Sequence, residues 1–146
     1  MLVPDEIRKC VVFLYYDDMN GVRRAAGTAF FVGLERPHDS ESHWVYLVTA
    51  KHVLDGIRAN SENGIAFVRC NLRAGGFTYA VSDVDNWATH PDETVIDDVA
   101  VIAWVPPVDM VDYIVYTLAS AANETTGHGV GDEVFFPGLF VNHAGR

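Results

Sequence analysis

The chain is poor in positive charge and contains no long hydrophobic run. Its 146 residues include 10 Lys and Arg against 20 Asp and Glu, which gives a net charge of −10. A protein with this charge lacks the basic surface that neutralises nucleic-acid phosphates, so no nucleic-acid partner is expected. No stretch approaches the ~18 consecutive apolar residues of a membrane span, so no membrane partner is expected either.

Cysteine is scarce, and the usual metal-binding spacings are missing. Cys10 and Cys70 lie in apolar, strand-like contexts and favour buried free thiols over a disulfide. The histidines and cysteines show no His-x-x-x-His, His-Glu-x-x-His or Cys-x-x-Cys spacing, so no metal site is predicted. The first residues lack the basic start and apolar block of a signal peptide, which predicts a cytoplasmic protein if Met1 is the true start.

What the chain does have is a hydrophobic content of 49%, arranged in short segments between turn signals. Six of these segments predict strands: residues 7–16, 22–33, 44–50, 65–73, 77–81 and 97–105. The polar residues 36–43 predict an exposed loop, and Gly56 is expected to end a single helical turn. Six strands with little helical periodicity predict an all-β fold, in which a closed antiparallel barrel removes exposed sheet edges.

The stretch over residues 44–56 is the most informative, because a buried strand ends there at a histidine. The strand is rich in β-branched and aromatic residues and finishes in Thr-Ala-Lys-His, with His52 last. This ending resembles the Thr-Ala-x-His signature of trypsin-like (chymotrypsin-fold) serine peptidases. In that family the histidine is the general base.

Three further segments resemble the bacterial members of this family. Gly27 opens Gly-Thr-Ala-Phe-Phe-Val, which is similar to the segment before the histidine strand. Asp98 directly precedes Val-Ala-Val, as the acid of the family precedes such a strand, and is therefore favoured over Asp97. His90 is followed by proline, a pair often found before that acid. Gly131 lies in a Val-Gly-Asp segment that resembles the opening of the second barrel.

The resemblance implies an antiparallel six-stranded trypsin-like barrel over residues 1–107, the first of two barrels. Residues 108–146 would then form a connector and the first strand of an incomplete second barrel. The resemblance also implies that His52 is the general base and Asp98 the orienting acid of a Ser-His-Asp triad. Such an enzyme hydrolyses peptide or protein substrates without a cofactor.

The third member of the triad is missing from the sequence. None of the serines lies in a Gly-x-Ser-Gly setting; they are Ser40, Ser42, Ser61, Ser82 and Ser120. We therefore expect the N-terminal portion of a trypsin-like serine endopeptidase, inactive alone, whose serine lies beyond the chain end. The alternative is a non-catalytic β-barrel, either a pseudoprotease or a protein-binding module. In both cases the exposed inter-barrel face is expected to promote self-association.

Overall fold

The computed structural model describes residues 5–92, 94–105, 107, 109–121 and 129. Within these residues the strands are β1 (Val11–Asp17), β2 (Arg23–Arg36), β3 (Asp39–Thr49), β4 (Ile65–Asn71), β5 (Phe77–Asp83), β6 (Ala100–Ala103) and β7 (Tyr116–Thr117). The helices are α1 (Asp5–Lys9) and α2 (Lys51–Asn60), with 3₁₀ turns at Val84–Asn86 and Leu118–Ser120.

The strands form one curled sheet in the order β5-β4-β1-β2-β3-β6. Neighbours on this path are antiparallel, whereas the short β7 lies parallel to β2. Ala88, just beyond β5, exchanges two backbone hydrogen bonds of 2.8 Å with Val101 in β6, which draws the ends of the sheet towards each other. The result is a six-strand half-barrel, so the predicted all-β, mainly antiparallel fold is confirmed.

The core fills the concave side of this sheet because alternate residues of each strand point inward. Strand β4 alternates between buried and partly exposed residues along its length. Leu14, Phe31, Leu47 and Val68 come from four different strands, and none exposes any surface. Burying side chains of this size contributes roughly 1.5–3 kcal/mol each. These residues therefore hold the four central strands together.

The prediction that Gly56 ends a single helical turn is wrong, because α2 continues to Asn60. Leu54 and Ile57 lie on one side of the helix and are 3% and 0% exposed. Packing of this apolar face outweighs the roughly 1 kcal/mol that a helical glycine costs relative to alanine. Tertiary burial thus extends a helix that local propensity alone would end.

The prediction of an exposed loop over residues 36–43 is also wrong for most of its length. Strands β2 and β3 continue as a hairpin in which Glu35 faces His43 and Arg36 faces Asp39. The reversal is confined to the turn after Arg36, where His38 adopts a φ of 74°. Backbone pairing can extend through polar residues because their side chains project into water on an antiparallel arm.

The described residues beyond β6 pack back against the sheet. Val111 is 1% exposed and pairs with Leu72, and the ring of Tyr113 packs 5.2 Å from that of Phe31. Residues 109–121 therefore contribute Val111 and Tyr113 to the packing of the core, and they also contain β7 and a 3₁₀ turn. The predicted second-barrel strand around Gly131 lies outside the described residues.

Candidate active site

The sheet brings His52 and Asp98 together although they are distant in sequence. Strand β3 ends where the antiparallel β6 begins, and Thr49 pairs with Ala100. The pairing continues past the strand ends, where the backbone N–H of Lys51 donates to the carbonyl oxygen of Asp98 at 3.1 Å. The strand register therefore places the residue after Lys51 beside the Asp98 side chain.

The carboxylate of Asp98 binds His52 through both of its oxygens. Oδ1 accepts the backbone N–H of His52 at 2.8 Å, and Oδ2 is hydrogen-bonded to Nδ1 of the imidazole ring. The first N–H groups of a helix lack partners within the helix. Ala50, at the N-cap of α2, has no side-chain oxygen to offer. Asp98 consequently caps α2 from another segment while it orients the ring.

These contacts determine the charge of Asp98 and the tautomer of His52. The backbone N–H of His52, and then its ring, lower the pKa of Asp98 below its ordinary value of 3.8. An ionised carboxylate only accepts hydrogen bonds, so Nδ1 of the ring carries the proton that bonds to Oδ2. In the neutral imidazole the lone pair then lies on Nε2, the nitrogen that could accept a proton from a substrate or nucleophile.

The imidazole ring is open to solvent on the side away from Asp98. The side chain of His52 is 74% exposed and that of Asp98 is 54% exposed. Within the described part of the chain, Nε2 has no hydrogen-bond partner. A reacting group brought by another segment or molecule could therefore reach this nitrogen.

Neighbouring residues fix α2 against the sheet. A Cβ at Gly27 would lie 2.8 Å from a methyl group of Val53, so only glycine lets β2 approach the residue after His52 this closely. At the end of β3, the buried Thr49 hydroxyl donates to the carbonyl of Thr28 at 2.7 Å. Gly27 is therefore a point of close approach between β2 and α2, with Val53 as its neighbour.

A polar cavity of about 370 Å³ lies beside the pair and is lined by Lys51, His90, Asp92 and Asp97, among others. Asp97 therefore faces this cavity, whereas Asp98 binds His52. His90 accepts the backbone N–H of Asp92 through Nδ1 at 3.1 Å, within the turn that leads towards Asp98. The His-Pro pair is thus part of the turn that precedes Asp98, and it makes no described contact with His52.

No described nucleophile lies against the imidazole. The hydroxyl groups of Ser42, Ser61, Ser82 and Ser120 each bond to groups other than His52. Cys10 and Cys70 are free thiols, as predicted, although Cys10 is only partly buried. Burial raises the pKa of Cys70 to about 11, so this cysteine is no thiolate nucleophile near neutral pH.

The described residues offer neither a metal site nor a membrane-spanning helix. Among them, no group of three or more His, Cys, Asp or Glu side chains could hold a metal ion. Their helices also include none that is long and apolar enough to cross a membrane. The chain significantly matches no protein-family model, no curated protein and no solved structure.

Proposed function

We propose that this chain is the N-terminal portion of a trypsin-like serine endopeptidase. It supplies the general base, His52, and the orienting acid, Asp98, to a triad whose serine comes from outside these 146 residues. The observation that carries the proposal is the double contact of the Asp98 carboxylate, which holds both the backbone and the ring of His52. The trypsin-like barrel and the start of a second barrel at residues 108–146 are part of the same proposal.

The proposed chemistry follows from the geometry of the pair. A serine hydroxyl placed at Nε2 of His52 would lose its proton to the ring as it attacks the peptide carbonyl. The ionised Asp98 stabilises the resulting imidazolium and keeps Nδ1 protonated throughout. The ring later returns the proton to the leaving amine, which leaves an acyl-enzyme for water to hydrolyse.

The test begins with the DNA downstream of the Arg146 codon, translated in frame. We expect further residues that include a Gly-x-Ser-Gly segment, and an extended protein that hydrolyses casein and reacts with a fluorophosphonate. His52→Ala should abolish labelling, and Asp98→Asn should lower kcat by about 10⁴-fold, because the amide favours the wrong histidine tautomer. Asp97→Asn is the matched control and should retain activity.

A stop codon directly after Arg146, or an extended protein that neither hydrolyses casein nor reacts, would overturn the proposal. The non-catalytic barrel would then be the better account. In that case the Asp98 contacts would be structural, as a cap for α2, and His52→Ala would leave binding to a protein partner unchanged.

A further inference from the structure

Strand β5 is an outer strand whose second edge has no partner among the described residues. It pairs with β4 alone, from Ile65 opposite Asp83 to Asn71 opposite Phe77, without a bulge. Such edges are usually protected by lysine, proline or a bulge, because their unpaired backbone groups can bind another strand. The sequence Phe-Thr-Tyr-Ala-Val-Ser-Asp contains none of these protective features.

Hydrogen bonds at the two ends of the β4–β5 hairpin show which backbone groups face the free edge. The N–H of Leu72 donates to the carbonyl of Gly76 at 3.1 Å, and the N–H of Val84 donates to that of Gly64 at 3.0 Å. Residues alternate between the two edges of an antiparallel strand. The even-numbered residues of β5 therefore bond to β4. The N–H and C=O groups that point to the free edge belong to Phe77, Tyr79, Val81 and Asp83.

The outer face of β5 is apolar and already ordered. Phe77, Tyr79 and Val81 are 46%, 36% and 64% exposed. The ring of Tyr79 meets those of Phe67 and Phe77 edge to face, at 6.3 and 5.4 Å. The Arg23 guanidinium lies over the rings of both Phe67 and Tyr79. Side chains held in this way lose little conformational entropy when a partner binds.

We propose that β5 pairs with β5 of a second copy of this chain, antiparallel about a two-fold axis at Ala80. This register places Tyr79 opposite Val81 and Phe77 opposite Asp83. It is the register in which all four residues that face the free edge find a partner. An aromatic residue opposite a β-branched one is a favourable cross-strand pair. The two half-barrels would then share one continuous sheet.

The charges at the two ends of β5 are complementary in this arrangement. The Arg69 guanidinium lies 4.2 Å from the ring centroid of Phe77, at one end of the strand. The exposed Asp83 lies at the other end, six residues along the strand, so the two charges are roughly 20 Å apart along the sheet within one copy. Antiparallel pairing brings Asp83 of the second copy beside Phe77 and hence beside Arg69. The two-fold axis repeats this contact.

Pairing of this kind also limits the size of the assembly. An isologous contact uses the same strand edge on both copies, so neither β5 edge remains free after association. The inference therefore predicts a dimer and excludes an open-ended polymer. It uses residues away from His52 and Asp98 and does not depend on the proposed peptidase function.

Charge-reversal variants test the proposed register. Sedimentation velocity over a wide range of protein concentrations should show a monomer–dimer equilibrium for the natural chain. Arg69→Glu alone and Asp83→Arg alone should each weaken the dimer about tenfold or more, because both place like charges opposite each other at two symmetry-related contacts. An equimolar mixture of the two variants should dimerise again, since every contact in the mixed dimer joins opposite charges.

A valine pair provides the matched control. Val81→Lys should disrupt the dimer, because the two-fold axis brings two ammonium groups close together on neighbouring strands. Val105→Lys changes an equally apolar residue that is 88% exposed and lies outside β5, and it should leave association unchanged. Circular dichroism would verify that each variant is folded. A monomer at all concentrations, a larger polymer, or a mixture that associates no better than either variant alone would overturn the proposal.

Discussion

Asp98 has two separable roles at the level of single residues, as a helix cap and as a ring orienter. In Asp98→Ala both contacts are lost, so we expect the backbone N–H of His52 to exchange with solvent several-fold faster and the imidazole signals to shift. Hydrogen exchange and histidine NMR spectra would measure these changes. The control is Asp97→Ala, which removes the neighbouring carboxylate but neither contact. Equal effects of the two substitutions would contradict the assignment to Asp98.

The pKa of Asp98 gives the pH dependence of this contact. Because hydrogen bonds from His52 lower the folded-state pKa below 3.8, the stabilisation is fully present above 3.8. It is lost as the pH falls through the lowered value. We therefore expect natural Asp98 to raise Tm relative to Asp98→Asn near neutral pH, by an amount that shrinks in acid.

Thermal unfolding of both proteins at a series of pH values would check this expectation. The comparison is needed because Asp17, Asp18, Asp39 and Asp92 also have lowered pKa values. Their contributions are common to both proteins and cancel in the difference. A Tm difference that stays constant down to the most acidic pH would contradict the link to the charge of Asp98.

The pairing of His52 with Asp98 could be predicted from the sequence only through motifs that resemble those of trypsin-like peptidases. Each residue lies at the end of an apolar segment with a recognisable motif, and those segments form neighbouring strands. The contact with the backbone N–H of His52 was not predictable in the same way. It depends on α2 starting at Lys51 with Ala50 as an N-cap that has no polar side chain, which only the folded register reveals.

At the level of elements, Gly27 is the point where β2 touches α2. In Gly27→Ala the new methyl group would overlap the Val53 side chain, which lies 2.8 Å from the Cβ position. We expect the substitution to lower the free energy of unfolding by about 1–3 kcal/mol, as overpacking usually does. Chemical denaturation would measure this loss. Because Val53→Ala frees the space, the double variant should be more stable than the sum of the single effects predicts.

Gly56 is the matched control for Gly27, because a methyl group at Gly56 would meet no neighbouring side chain. Nothing lies within 4 Å of a Cβ at this position, and the residue is inside α2. Gly56→Ala should therefore stabilise the protein by about 0.4–1 kcal/mol. Destabilisation by both glycine substitutions would mean that the Gly27–Val53 contact is not the cause of the first effect.

The sequence predicted the positions of the strands more accurately than the lengths of the strands or the ends of the helices. Apolar alternation located β4 and β5 to within a few residues, because one face of each packs on the core. The same criterion missed the polar start of β3, where backbone pairing continues into solvent. Gly56 also predicted too early an end for α2, because the burial of Ile57 depends on a sheet that the local sequence does not describe.

On the scale of the whole molecule, the half-barrel brings the proposed catalytic pair to its rim. The end of β3, the start of β6 and the first turn of α2 meet there, and each is held by a core that includes Leu47 and Ala100. His52 is exposed at this rim while the strands beneath it are buried. The fold therefore supplies a rigid support for a group that, in the proposed enzyme, would meet a nucleophile from outside these residues.

This arrangement predicts that the 146 residues alone have no measurable peptidase activity. Triad enzymes that lose one catalytic group keep about 10³–10⁴-fold acceleration over water, because the oxyanion hole and the substrate-binding site remain. In the proposed enzyme this chain would supply a base and an acid, whereas the Gly-x-Ser-Gly segment that would provide the nucleophile and its oxyanion hole is absent from the sequence. An assay with casein and a panel of peptides would measure the activity. Hydrolysis that persists through purification and disappears in His52→Ala would contradict the prediction, because the nucleophile would then have to lie within this chain.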